Sequence, residues 1–126
     1  MNAMVPARSI ALSGEASVAR LQVAEALDEG GWRGDVDGVL LAVHEAVVNA
    51  QRHAGGVSRA TACLDGDSLV VEVWDRGKGF RMPRSKAAPD TMAERGRGLF
   101  LMRRLAADVR VARSAGEVGL LLRFEP

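Results

Sequence analysis

Residues 41–54, LAVHEAVVNAQRHA, constrain this chain more than any other stretch, because one helical period runs through the apolar positions and another through the polar ones. At 100° per residue, Val36, Val39, Leu40, Val43, Val47, Ala50 and Ala54 gather on one side, which predicts a helix with a core-facing stripe. Glu45 points almost the other way. Asn49 and His53 follow it at four-residue steps, so the three line one edge a turn apart. Leu41, Ala42 and Val48 flank that edge and are poor choices beside bulk water. A helix apolar on one side and mixed on the other predicts a core behind it and a pocket in front.

A chain of 126 residues is long enough to bury a core as one domain without metal or disulfide staples. Its net charge of +1 argues against a dedicated nucleic-acid or polybasic membrane binder. Cys63 is the only cysteine and falls in a predicted strand, so it reads as a small buried hydrophobe in a reducing compartment. The first twelve residues lack the apolar core of a signal peptide, and no run of about 18 apolar residues is present to span a bilayer. The expected location is the cytoplasm.

Taken in order, residues 7–12 read as a strand and residues 16–27 as a helix with Val18, Leu21, Val23, Ala24 and Leu27 as its apolar positions. Asp35 is a plausible N-cap for the second helix, which runs to about residue 53 and stops at Gly55 and Gly56. Two strands follow, 57–64 and 68–74, with Asp65, Gly66 and Asp67 as a hairpin signal between them. In the second, Leu69, Val71, Val73 and Asp75 share a face, so a carboxylate continues an inward apolar row. That is costly unless it meets a hydrogen-bond donor. Residues 76–95 have no clean period and read as a long loop of the kind that forms lids or binding segments. Gly96 or Gly98 opens a third helix with Leu99, Met102, Leu105 and Ala106 as its buried stripe, and a hairpin of strands 109–113 and 118–124 closes the chain. This order predicts an α+β fold, a two-layer sandwich whose mixed, mostly antiparallel sheet is covered on one face by three helices.

Three polar constellations carry chemistry. An amide oxygen such as that of Asn49 suits a hard cation like Mg²⁺ that also keeps water and phosphate ligands. Glu45, one turn before it, is placed to orient or deprotonate an attacking hydroxyl or water. Gly96 and Gly98 at a helix start let backbone amides approach phosphate oxygens, where the helix dipole favours anions. Singly, each also reads as something plainer: a solvated helix edge, a turn at Asp75, Gly77 and Gly79, and a flexible joint. The familiar alternatives find no support. There is no Gly-x-x-x-x-Gly-Lys-Ser/Thr loop, neither glycine pair is followed by the third glycine of a dinucleotide fingerprint, and His44 and His53 fall on different helix faces.

The three boxes in this order resemble the GHKL (Bergerat-type) ATP-binding fold: LAVHEAVVNAQRHA its N-box, DRGKGF its first glycine box and ERGRGLFLMRRLAADV its second. The short form looks like the anti-sigma factor serine/threonine kinases of bacteria. The resemblance covers residues 9–124, one domain with a lid at about residues 80–96. It implies that Asn49 holds Mg²⁺ bridging the nucleotide phosphates, that Glu45 is base toward an acceptor serine, and that Asp75 accepts a hydrogen bond from the adenine amino group. It implies further that Gly77 and Gly79 let the base pack closely, and that Gly96, Gly98 and Leu99 lie where the lid folds over the phosphates. Arg52 occupies the place of a phosphate-facing lysine in related sensor kinases, His53 matches a common N-box histidine, and Arg95 lies near where some relatives place a phosphate-contacting arginine, all three being expected at the nucleotide.

The function expected from that resemblance is an ATP- and Mg²⁺-dependent kinase acting on a STAS-type anti-anti-sigma protein, with a sigma factor as the second partner and a homodimer formed through the first strand and helix. The alternative is an ATP-binding module that sequesters a protein partner without kinase turnover.

Overall fold

A computed structural model describes residues 8–77 and 94–126, residues 94–96 by their backbone alone. Gly79 and the predicted lid up to residue 93 lie outside the described residues. The elements are β1 (Arg8–Ala11), α1 (Ala16–Glu29), α2 (Val36–Ala54), β2 (Arg59–Asp65), β3 (Ser68–Asp75), α3 (Glu94–Leu105), β4 (Asp108–Ser114) and β5 (Glu117–Phe124). The five strands form one sheet in the order β1-β2-β3-β5-β4, and every pairing is antiparallel.

The second helix is fixed at both ends by its own sequence. The Asp35 carboxylate accepts from the Gly38 N–H at 3.0 Å, an N-cap worth about 1 kcal/mol. At the other end Gly55 takes φ 75°, a left-handed position that suits glycine, and the Gly56 N–H donates to the Ala50 carbonyl at 3.0 Å. Between the caps, Val39, Val43, Ala46, Val47 and Ala50 are buried against the sheet. The sheet answers with Ala60 and Ala62 of β2, Leu69, Val71 and Val73 of β3, and Leu120, Leu122 and Phe124 of β5. α1 adds Ala19, Val23 and Leu27 to this core, and α3 adds Leu99 and Met102. α2 is the central helix, packed between α1 and α3.

Several sequence expectations shift in this frame. The buried line of α1 follows four-residue steps through Ala19, Val23 and Leu27, so Val18 and Leu21 turn outward, 39% and 59% exposed. Cys63 is half-buried on the sheet face away from the helices, because strand alternation gives the inward place to Ala62. Leu41 is 42% exposed. The third helix begins at Glu94, so Gly96 and Gly98 lie inside it instead of opening it. Packing against α2 overrides the poor helix propensity of glycine there.

The outer face of the sheet is closed by a stacked aromatic. Trp74 lies flat over Gly119, where an added Cβ would come within 2.6 Å of the indole ring, and the Arg59 guanidinium sits 4.2 Å from the ring centroid on the indole. The indole N–H donates to Glu72 Oε1 at 2.8 Å. Ser58 and Arg59 both donate to the Glu117 carboxylate, the latter at 3.1 Å, and these bonds hold its carboxyl below the usual range, the Ser58 hydroxyl being the larger cause. Gly119→Ala is therefore expected to destabilise the fold by about 1–3 kcal/mol through overpacking, read as a lower midpoint in urea unfolding.

Candidate functional site

The edge of α2 that bears Glu45 and Asn49 is turned toward α3. Ala42 and Ala46 on that side are completely buried, and Asn49 is 7% exposed, the only buried polar side chain among the described residues. Its amide is not among the buried side-chain groups left without a partner, which among the described residues are Trp32 Nε1 and His44 Nδ1. Glu45 is half-buried one turn earlier, and its Oε2 lies 3.3 Å from where a Cβ on Gly98 would sit. The second glycine box and the helix carboxylate thus meet directly.

The last turn of α2 meets the other glycine box. Asp75 ends β3 opposite Val118 on the row of Leu69, Val71 and Val73, as its alternation predicts. The Gly77 N–H donates to Asp75 Oδ1 at 2.8 Å. Sequence left this carboxylate without a donor; the chain supplies one to Oδ1, and no donor reaches Oδ2 among the described residues. A Cβ on Gly77 would approach the Ala54 Cβ to 2.7 Å and its Cα to 3.2 Å, so only glycine lets the strand end close onto the helix end. Nine residues separate Glu45 from Ala54, about 13 Å of helix at 1.5 Å per residue. The acidic groups at the two ends of this line, with a buried amide between them, face different neighbours: α3 at one end and the β3 turn at the other.

Other expected site residues divide. Arg52 and His53 are exposed in the last turn of α2. Leu99 is 2% exposed within the core, so its side chain supports the sheet and does not line the site. Arg95 and Gly96 are in the first turn of α3, their side chains outside the described residues, as is all of Gly79. Ala54 was missed as a contributor; its small side chain at the end of an apolar stripe carried no distinguishing signal. His44 Nδ1 is sealed from solvent without a hydrogen-bond partner, and it lies on the opposite side of the helix from Asn49.

For a cation, the donor set is spare. No group of three His, Cys, Asp or Glu side chains converges among the described residues, so a cation beside Asn49 would have few protein ligands. That fits an ion such as Mg²⁺, which takes few protein ligands and keeps phosphate and water oxygens. A hollow of about 270 Å³ lies elsewhere, between α1 and the β1–β2 pair, over Ile10, Ala62 and Leu69.

The α2 edge thus runs between a glycine inside α3 and the turn at Gly77 after β3, and comparison with known families assigns the fold. Residues 11–125 match the histidine kinase-like ATPase domain, and the chain belongs to that family. Among solved structures it is similar to the RsbU and RsbW domains of Rv1364c from Mycobacterium tuberculosis, with a TM-score of 0.65 and 23% identity, over 96% of this chain and 32% of that one. The chain therefore spans about a third of that chain's length. No curated protein matches it. No described helix is long and apolar enough to cross a membrane.

Proposed function

We propose that the chain binds ATP along the α3-facing edge of α2 and passes the γ-phosphate to a serine or threonine of a STAS-type anti-anti-sigma protein, in the cytoplasm, while sequestering a sigma factor. The observation that carries this reading is the line of Glu45, Asn49 and Ala54, which sets an acid beside Gly98 at one end and the Asp75–Gly77 turn at the other. Asp75 Oδ2 accepts from the adenine amino group, and Gly77, with Gly79 beyond it, admits the base. The phosphates extend along α2 toward Gly98, with Arg95 and Gly96 in the first turn of α3 and Arg52 and His53 in the last turn of α2 as further contacts.

Asn49 would hold Mg²⁺, which supplies neutralisation of phosphate charge. Glu45 takes the proton of the acceptor hydroxyl as that oxygen attacks the γ-phosphorus. The new O–P bond forms, the bond to the β-phosphate oxygen breaks, and ADP leaves with its electron pair. Phosphoryl transfer asks little covalent chemistry of a protein, so one base, one amide ligand and positioned backbone donors suffice. The homodimer is proposed through β1, a four-residue edge strand, and α1, whose Val18 and Leu21 are exposed beside it.

The test is to recover partners by affinity purification and follow label from γ-labelled ATP. Asn49→Ala is expected to lose transfer and its Mg²⁺ dependence together. ATP binding with no recovered partner ever labelled would overturn the kinase reading in favour of a sequestering module without turnover.

A further inference from the structure

Gly98 is the fifth residue of a twelve-residue helix, an interior position where alanine is the better helix former and where its backbone takes no left-handed angle. It is buried, so neither solvent nor a turn asks for glycine there. Apart from its chain neighbours and the backbone of its own helix, the one described heavy atom within 4 Å of where its Cβ would stand is Glu45 Oε2, at 3.3 Å. A methyl group at that distance presses on the carboxylate and on nothing else, so the Glu45 head must give by a few tenths of an ångström. Gly38 of α2 pairs in the same way with a carboxylate, but that of its own N-cap and with Leu105 beside it, so its space serves the cap and the core. Gly119 would meet an indole.

We infer that Gly98 is a positioning residue for Glu45: its missing side chain leaves the space in which the carboxylate is held toward the acceptor hydroxyl. This rests on the proposed role of Glu45 as base, and assigns to the second glycine box a function separate from its backbone approach to phosphate. Displacing a reacting group by a fraction of an ångström slows the step it performs without altering nucleotide contacts made by other residues. Substitution should therefore slow transfer at saturating ATP, and only while Glu45 is present.

The experiment compares the full chain with Gly98→Ala, Glu45→Ala and the double variant, by thermal unfolding, ATP affinity and transfer to the recovered partner. With Glu45 truncated, Gly98→Ala should raise the unfolding midpoint by about 4 °C, the helix-propensity gain for a chain of this size. With Glu45 present the gain should vanish. Transfer by Gly98→Ala at saturating ATP should fall about tenfold, and with Glu45 already truncated Gly98→Ala should slow it no further. An equal thermal gain in both backgrounds, or a loss of transfer at saturating ATP that is as large with Glu45 truncated as with it present, overturns the inference. If the wild type transfers no phosphate, the kinase reading fails by itself, and the thermal comparison still decides whether Gly98 makes room for Glu45.

Discussion

Glu45→Gln is expected to lower phosphoryl transfer by about 10²–10⁴-fold while leaving ATP affinity within about twofold. Glutamine keeps the length of the side chain and its contact with Gly98, so the site is not emptied; what disappears is the oxygen able to take the hydroxyl proton. The helix around it is set by Asp35, Gly55 and the buried stripe, none of which the change touches. The measurement is single-turnover transfer from ATP to the recovered partner under saturating nucleotide. Transfer at close to the wild-type rate would assign the proton to another group, or show that positioning alone drives the step.

Asp75→Asn should weaken ATP binding by about 10–100-fold with the fold intact, the range for losing a charge-assisted hydrogen bond of about 1.5–3 kcal/mol. The reasoning comes from the neighbour the sequence did not reveal. Because the Gly77 N–H already donates to Oδ1, an asparagine must use its single carbonyl oxygen either for Gly77 or for the adenine amino group. Whichever it serves, its NH₂ group faces another donor. Truncation to alanine removes that conflict, so the asparagine variant should bind no better than alanine does. Competition titrations of the three proteins with ATP decide it, and an asparagine variant equal to wild type would remove Asp75 from the adenine contact.

How much of this was legible beforehand follows from what sequence encodes. The caps of α2, the tight turn at Gly66 and the alternation that turns Leu69, Val71, Val73 and Asp75 to one face are local, and local chemistry writes them plainly. The fold class followed from their order, with the helices on one face of an antiparallel sheet. What sequence blurred was tertiary. Val18 and Leu21 share the period of α1 but not its buried line, which depends on where the sheet lies. Gly98 looked like a hinge because glycine opens helices as often as it sits inside them; only its neighbour, Glu45, gives it a reason. Leu99, read from sequence both as part of the buried stripe of α3 and as a neighbour of the nucleotide, is buried in the core as the stripe predicts. The pairing of Gly77 with Ala54 lies 23 positions apart along the chain and leaves no periodic trace.

The central claim is that the edge of α2 between Gly98 and the Asp75–Gly77 turn binds ATP. Calorimetric titration of the purified chain with ATP in the presence of Mg²⁺ tests it most directly. Saturation with one nucleotide per chain and a dissociation constant below about 1 mM, more than −4 kcal/mol of binding free energy, is the expected result. Absence of saturation at several times that order of concentration would contradict it.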